Sequence, residues 1–327
     1  MGRLLLFPAR TKVDNLVWCE PIQLLAQRIQ FPKFLMRMSN CFFLRVGSVL
    51  ALFAAWLVLA PSAFSENPAA EHVKLQLVSA QDAIVPGHEI ELGVRFDLQD
   101  GWHTYWQNPG DSGEAPRIDW ALPSGFQAGA IQWPYPERMV TGPLTDYGYE
   151  HQVLLMVAVR PPSGLKEGTT QKISAHIRYL VCRDVCIPGE AQLDFGLPVK
   201  SQASSSAAAQ SFQAAQKQLP QPAPSTWKIS VLASGEEFVV SLKNAKSAAN
   251  AQFFPLHAEE IDNAAQQTVT AIPGGIRLHL KKSPHLLKPI SRLEGIVVVG
   301  SGNAYSVNIP VVGSGNRESG NHKQSGT

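Results

Sequence analysis

The sequence predicts an all-β protein, and three observations lead to this fold class. Hydrophobic residues make up 45% of the 327-residue chain, which is enough for a packed core, and Gly and Pro are abundant at 25 and 24 residues. Apolar residues recur at every second position in short runs, as in strands that bury one face, and frequent turn residues favour short strands over long helices. We therefore expect two immunoglobulin-like antiparallel β-sandwich domains joined by a short Ala/Gln/Pro-rich linker.

The first predicted sandwich occupies residues 66–200. Polar and apolar residues alternate at 73–78 and 90–96, and the uninterrupted apolar run at 153–159 is typical of a central strand. Along 173–181 the apolar side chains share one face and the polar side chains share the other. Strands at this spacing, with Gly and Pro between them, indicate an antiparallel sandwich.

The composition changes after the first predicted sandwich. Residues 201–226 are rich in Ala, Gln and Pro and form the predicted linker, with a short helix at about 205–218 and a semi-rigid Pro-rich end. The strand pattern resumes at Trp227, so residues 227–312 are predicted to form a second, smaller β-sandwich. The tail at 313–327 is rich in Gly, Ser and Asn and is predicted to be disordered.

Residues 1–65 are predicted to be an upstream extension and a signal peptide. An apolar run at 46–60 is followed by small residues that suit cleavage near Ser65. The run has about 15 residues, fewer than the roughly 20 that cross a bilayer as a helix. The alternative interpretation is an uncleaved anchor. Either way, we expect the rest of the chain to be exported from the cytoplasm.

Charge and motif content exclude several classes of function. The net charge is +2 and the basic residues are scattered, so nucleic acid is not an expected partner. The sequence lacks phosphate-binding loops, Ser-centred nucleophile elbows and His-x-x-His spacings, and we expect neither a cofactor nor a metal centre. His103, His151 and His176 are scattered along the chain and do not indicate a Cys/His triad.

Cys182 and Cys186 are the cysteines that remain after export, because Cys19 and Cys41 precede the predicted cleavage point. The pair lies where a predicted strand must turn. If residues 183–185 form a three-residue hairpin loop, the two cysteines face each other across an antiparallel pair, where Cα atoms are about 4.5 Å apart. Such a pair closes into a disulfide with little backbone movement in the oxidising compartment that an exported protein meets.

Three roles are open for this cysteine pair. We favour a redox-active disulfide, because closing a five-residue loop restricts the unfolded chain by only about 2 kcal/mol, against roughly 4–5 kcal/mol for a loop of a hundred residues. An inert structural staple is the second role, and a two-thiolate Cu(I) site is the third, since soft thiolates suit that ion. Arg183 favours a thiolate and Asp184 opposes it, so the sequence does not fix the pKa of the pair.

Aromatic residues concentrate upstream of the cysteine pair. They either pack in the sandwich core or cover the disulfide as a hinged lid that keeps passing thiols away. The aromatic residues that we expect to flank the site are Trp102, Tyr105, Trp106 and Tyr179.

Three sequence motifs resemble those of one protein family. They cover residues 101–113 (GWHTYWQNPGDSG), 147–149 (YGY) and 179–188 (YLVCRDVCIP). These motifs are similar to the N-terminal periplasmic domain of the thiol:disulfide interchange protein DsbD, and more similar to the branch that includes the suppressor-of-copper-sensitivity protein ScsB. The resemblance extends over about residues 70–200, and the second predicted sandwich matches that branch only in layout.

The resemblance implies a sandwich that takes electrons from a thioredoxin-like partner and passes them to oxidised periplasmic proteins, in the context of cytochrome c biogenesis or copper tolerance. It implies that Cys186 forms the mixed disulfide with a partner and that Cys182 resolves it. Asp146, Tyr147 and Gly148 occupy the position of the family's cap loop, which makes Tyr147 the expected lid residue.

Two features depart from the family. The family's cysteines are separated by more than the three residues of this chain, so the loop geometry does not transfer in detail. Full-length members continue into a membrane electron conduit and a thioredoxin-like domain, whereas the strand pattern of this chain ends near Val312. We therefore expect reduction in trans, by a thioredoxin-like electron donor or through a separate membrane conduit. The predicted function is that of a periplasmic thiol–disulfide oxidoreductase, and the alternative is a non-enzymatic binding module with a structural disulfide.

Overall fold

The computed structural model describes residues 67–245, 250–300 and 302–313. The predicted signal peptide at 1–65, with its cleavage site, and the predicted tail beyond Gly313 lie outside the described residues. Within the described part of the chain, no helix is long and apolar enough to cross a membrane. Nearly all of the regular structure is strand, which confirms the predicted all-β fold class.

The N-terminal half of the described chain consists of a short 3-10 helix, Pro68–Glu71, followed by ten strands. The strands are β1 (Val73–Ser79), β2 (Ile90–Leu98), β3 (His103–Gly110), β4 (Arg117–Ala121), β5 (Gln127–Gln132), β6 (Glu137–Thr141), β7 (Leu144–Glu150), β8 (Gln152–Arg160), β9 (Thr170–Cys182) and β10 (Cys186–Pro198).

These ten strands form two sheets. One sheet has the order β1-β2-β8-β5, and the other has the order β10-β9-β3-β7-β6 with β4 beside β9. Alternating side chains point inward from both sheets and meet in a shared core, whose buried members include Val94, Phe96, Leu155, Ala175 and Ile177. The N-terminal half is therefore a β-sandwich of two packed sheets.

The C-terminal half begins with the helix α1 (Ala209–Lys217), which buries Phe212 against Leu154 and Met156 of the first sandwich. Eight further strands follow. They are β11 (Gln221–Pro222), β12 (Lys228–Ser234), β13 (Glu237–Lys243), β14 (Gln252–Pro255), β15 (Thr268–Ile272), β16 (Gly275–Lys281), β17 (Arg292–Val299) and β18 (Asn303–Gly313).

Strands β11 to β18 form one connected sheet around a second core. The order is β14-β17-β18-β12-β13-β16-β15, with β11 beside β18. The antiparallel pattern predicted for this half is interrupted at β18, which is parallel to both β11 and β12. Parallel neighbours need a long connection between them, and the chain from β12 to β18 provides one. The second core includes Val231, Phe238, Val240, Leu278 and Val297.

The two halves of the described chain pack against each other through buried aromatic side chains. Phe254 of β14 lies edge-on to Trp106, with ring centroids 6.4 Å apart, and edge-on to Tyr147, with centroids 5.2 Å apart. Edge-to-face pairs of this kind add to the free energy gained from burial alone. The described residues belong to one compact unit, and the exact domain boundaries at 200 and 226 stay a prediction.

One carboxyl group of the C-terminal half is buried, and one of its two oxygens makes no hydrogen bond to the described residues. Glu260 is 6% exposed, and its Oε2 atom has no hydrogen-bond partner among the described residues. Burial raises the pKa of Glu260 to about 7, while His257 lowers it and Glu294 raises it. A carboxyl whose pKa is raised by folding stabilises the fold below its unfolded value and loses that contribution as the pH rises through the folded value.

We predict that Glu260→Gln removes this pH dependence. The wild-type protein loses stability between about pH 4.5 and about pH 7, the unfolded and folded pKa values of Glu260, by up to about 3 kcal/mol. The variant therefore unfolds at a higher urea concentration than wild type at pH 8, and at nearly the same concentration at pH 4. The exposed neighbour Glu259 provides the matched control, Glu259→Gln. Equal pH dependence in wild type and Glu260→Gln would contradict the assignment.

Candidate functional site

A disulfide closes the hairpin between β9 and β10. Cys182 and Cys186 are bonded to each other, with Cα atoms 4.2 Å apart, and they are direct partners in the antiparallel register. The backbone N–H of Arg183 donates a hydrogen bond to the carbonyl of Val185 at 3.2 Å, which closes the loop. The three-residue hairpin loop predicted from the cysteine spacing is confirmed.

The two cysteines differ in exposure. Cys182 is 2% exposed because it lies at the end of β9 next to β3, where it pairs with His103. Cys186 begins the outer strand β10 and is exposed. An incoming thiolate can therefore reach Cys186 more easily than Cys182. Attack on one sulfur of a disulfide expels the other as the leaving thiolate, so Cys182 is the leaving group that this geometry favours.

The side chain that contacts both sulfur atoms is Tyr105. Its hydroxyl donates a hydrogen bond to Sγ of Cys182 at 2.8 Å and lies 3.3 Å from Sγ of Cys186. Burial raises the pKa of Tyr105, the Ser112 hydroxyl lowers it, and the charge of Asp146 raises it further. The phenol therefore keeps its proton near neutral pH and remains a donor. A donor at this position stabilises negative charge that develops on Cys182 when the bond breaks.

The tyrosine ring is held by the loop that follows β3. Gly113 has a φ of +84°, and a Cβ atom there would overlap the Tyr105 ring, so only glycine lets the ring lie this close to the backbone. The preceding residue, Ser112, donates from its backbone N–H and its hydroxyl to Asp146, at distances of 2.9 to 3.0 Å. Burial raises the pKa of Asp146, and these Ser112 hydrogen bonds lower it. Asp146 thus fixes the loop on which Tyr105 rests.

The tip of the hairpin packs on an aromatic stack. The Arg183 guanidinium lies 5.3 Å from the centroid of the Trp102 ring, and the His72 ring stacks on Trp102 with its centroid 3.8 Å away. Arg183 also forms an ion pair with Asp184 at 3.1 Å. Because these two charges lie side by side, their opposite effects on a nearby thiolate largely offset each other.

The other predicted site residues lie farther into the protein. Tyr147 is fully buried, and its hydroxyl donates to Oδ1 of Asn263 in the C-terminal half. Gly148 pairs with Tyr105 in the β3–β7 register, where a Cβ would collide with the backbone. Trp106 is buried in the interface between the two halves, and Tyr179 packs edge-on to Phe96 in the sandwich core. The lid role of Tyr147 stays a prediction.

Three residues at the site were not singled out from the sequence, although all lie within the motif at 101–113. His103 is buried next to Cys182, and its ring is 5.3 Å from the Tyr105 ring, edge to face. Burial lowers the pKa of His103, so the ring stays neutral near pH 7. Ser112 and Gly113 support Tyr105 as described above. The sequence pattern that could have pointed to them is the motif itself, because it combines polar and glycine residues with aromatic residues.

The N-terminal half is thus a β-sandwich with a disulfide across its outer hairpin and a tyrosine hydroxyl on the sulfur atoms. Residues 74–198 match the sequence model of the family described as thiol:disulfide interchange protein DsbD, N-terminal. The chain therefore contains a DsbD N-terminal-like domain, which confirms the resemblance found in the motifs.

One solved structure shares this fold. The N-terminal periplasmic domain of ScsB from Proteus mirabilis matches with a TM-score of 0.58 and 16% identity, over 76% of this chain and 97% of that chain. The DsbD N-terminal domain from Neisseria meningitidis, in its reduced form, matches with a TM-score of 0.24 and 14% identity, over 42% of this chain and 93% of that chain. No curated protein matches the sequence.

We predict that Tyr105→Phe slows reduction of the disulfide by dithiothreitol about tenfold, because a hydrogen bond to a charged group contributes about 1.5 kcal/mol or more. The substitution keeps the ring and deletes only the hydroxyl that meets the sulfur atoms. Stopped-flow kinetics of the purified oxidised protein measures this rate, and thiolate absorbance against pH should give a raised Cys182 pKa in the reduced variant.

Tyr149→Phe is the matched control for this experiment. Its buried hydroxyl donates to the carbonyl of Pro134 at 2.8 Å and makes no hydrogen bond to sulfur among the described residues. The control should reduce at the wild-type rate. A Tyr105→Phe rate equal to or faster than wild type would rule out a donor role for the hydroxyl.

Proposed function

We propose that this protein is a periplasmic thiol–disulfide oxidoreductase whose Cys182–Cys186 pair reduces disulfides of oxidised periplasmic proteins. A thioredoxin-like donor, or a membrane electron conduit, reduces the pair again in trans. The observation that carries the proposal is the Tyr105 hydroxyl, which meets the sulfur atoms of a disulfide with one exposed and one buried cysteine. The DsbD N-terminal-like domain over 74–198 supports the same chemistry.

Reduction of the pair begins with a donor thiolate that attacks Sγ of Cys186. The Cys186–donor bond forms, the Cys182–Cys186 bond breaks, and Cys182 leaves as a thiolate that accepts the Tyr105 hydrogen bond. A second donor thiolate then attacks the donor's sulfur in the mixed disulfide and releases Cys186. The donor ends as a disulfide, and the pair gains two electrons and, from solvent, the protons that its thiols hold.

Transfer to a client reverses these steps. The Cys186 thiolate attacks a client disulfide, and one client sulfur leaves and takes a proton from solvent. The Cys182 thiolate then attacks Sγ of Cys186 in the mixed disulfide, which re-forms the hairpin disulfide and releases the second client sulfur. Two electrons pass from the pair to the client, and the buried position of Cys182 keeps this resolving step intramolecular.

A purely structural role is a weaker account of this disulfide. The hairpin that it closes is already held by a continuous register from Cys182–Cys186 to Thr170–Pro198. A cross-link over a loop of this length restricts the unfolded chain by only about 2 kcal/mol. The sandwich also has a large apolar core of its own. A structural disulfide at this position would therefore add little to a fold that the strand register and the apolar core already stabilise.

Two alternatives were open from the sequence, and a structural observation favours the first of them. A cavity of about 500 Å³ lies between the two halves, lined in part by Trp133, Leu256 and Asn308, and it would suit a non-enzymatic binding module. Cu(I) binding by the reduced pair is the second alternative, since thiolates suit that ion. Among the described residues, no group of three or more His, Cys, Asp or Glu side chains is arranged to hold a metal, so such a site would rely on the two thiolates.

We predict that Cys182→Ser traps a mixed disulfide through Cys186, because the variant keeps the exposed cysteine and lacks the one that resolves the intermediate. Cys186→Ser should trap little, since Cys182 is buried. The measurement is non-reducing electrophoresis after incubation of each purified, reduced variant with a thioredoxin-like protein whose own resolving cysteine is replaced by serine and whose remaining cysteine carries a thionitrobenzoate leaving group.

Cys182→Ser/Cys186→Ser is the control: it should form no adduct and still melt cooperatively. Trapping through Cys182 alone would reverse the roles of the two cysteines. Trapping by neither variant would refute the relay, and a double variant that does not fold would favour the structural staple.

A further inference from the structure

A buried amide of the C-terminal half bonds to the loop that supports the redox site. Asn263, which is 7% exposed, accepts a hydrogen bond from the Tyr147 hydroxyl at 2.9 Å and donates one to Oδ1 of Asp111 at 2.9 Å. A tyrosine hydroxyl is a donor and a carboxylate is an acceptor, so the orientation of the amide is determined by its partners. An amide suits this position because it can accept and donate at once.

Asp111 belongs to the same loop that supports Tyr105. Its Oδ2 accepts from the backbone N–H of Thr145 at 2.8 Å, and its own N–H donates to the Thr145 carbonyl at 3.0 Å. Ser112 follows, bound to Asp146, and Gly113 follows Ser112 under the Tyr105 ring. Three consecutive loop residues thus connect Asn263 to the tyrosine that meets the disulfide.

Two further contacts attach the same region to the C-terminal half. Arg138 of β6 donates to the carbonyls of Asn263 and Ala264 at 2.7 and 3.1 Å. Asn108, buried in β3, donates to the carbonyls of Pro255 and His257 at 2.8 and 3.3 Å. The contacts therefore lie on both sides of the loop that supports Tyr105, and they restrict its movement more than a single contact would.

The segment that carries Asn263 is itself braced within the C-terminal half. Asp262 forms an ion pair with Lys281 at 2.8 Å and accepts a hydrogen bond from the N–H of Ala265 at 3.1 Å. Gln267 bonds to both the N–H and the carbonyl of Phe253, at 2.7 and 2.8 Å. Because these bonds are internal to that half, the segment presents Asn263 from a preorganised turn.

We propose that the C-terminal half positions the redox site, and that Asn263 is its main positioning residue. It holds the loop at Asp111–Gly113 so that the Tyr105 hydroxyl stays on the sulfur atoms of the hairpin disulfide. Asn263 acts through Tyr105 and touches neither sulfur nor substrate. This inference rests on the thiol–disulfide chemistry proposed above. It makes the rate of that chemistry depend on the C-terminal half.

The test is a double-mutant cycle between Asn263→Ala and Tyr105→Phe. Dithiothreitol reduces the oxidised, full-length protein, and the rate constant is measured for wild type, both single variants and the double variant. Asn263→Ala should slow reduction about threefold to tenfold in the wild-type background, and should have no further effect when the Tyr105 hydroxyl is already absent. A general loss of stability would change the reduction rate by the same factor in the wild-type and Tyr105→Phe backgrounds.

Two additional variants keep the test decisive. Tyr147→Phe removes the donor to Asn263 while keeping the ring against Phe254, so it should reproduce part of the effect even if Asn263→Ala folds poorly. Asn303→Ala deletes an exposed amide at the start of β18 in the same half, and should leave the rate unchanged. Equal effects of Asn263→Ala in the two Tyr105 backgrounds, or no effect in either, would overturn the proposal.

The failure of this inference is distinguishable from the failure of the proposed function. Dithiothreitol reduces the disulfide whether or not the protein has a natural partner. A non-additive cycle without any trapped partner would support the positioning role and contradict the relay. A trapped partner together with an additive cycle would support the relay and contradict the positioning role.

Discussion

The pairing of Cys182 with Cys186 across the β9–β10 hairpin is the constraint on which the rest of the site depends. It places both sulfur atoms at one end of a long two-strand register, with Cys182 buried beside β3 and Cys186 exposed on the outer strand. Because β3 is the neighbour of β9, its Tyr105 reaches the sulfur atoms from the covered side. Burial keeps this phenol protonated, so a donor faces the sulfur that leaves when Cys186 is attacked.

The polar groups behind the disulfide form a layered support. Tyr105 rests on Gly113, Ser112 is bound by Asp146, and Asp111 is bound by Asn263 from the C-terminal half. Asp146 and Asn263 are buried, so loss of a hydrogen-bond partner is costly for each of them. In this account the second half of the chain contributes to reactivity as well as to packing, since it determines how firmly the tyrosine is held.

The sequence predicts those features that depend on local spacing. Alternation along 173–181 predicts β9, and the three residues between the cysteines predict the hairpin loop. Tyr105 was expected near the site, but its contact with both sulfur atoms depends on the register of β3 against β9, which no local pattern specifies. The contact between Asn263 and Asp111 joins residues separated by 152 positions, and the parallel pairing of β18 likewise joins distant segments. Such features arise from tertiary packing, so one sequence without its fold does not reveal them.

The most direct test of the central claim, that the hairpin disulfide is a working redox pair, is its equilibrium reduction potential. The purified protein is equilibrated in glutathione or dithiothreitol redox buffers, and the fraction of free thiol is quantified by alkylation and mass spectrometry. We predict a potential between about −120 and −270 mV, the range of proteins that exchange disulfides. A potential below about −300 mV, typical of structural disulfides, would contradict the account and identify the bond as a staple.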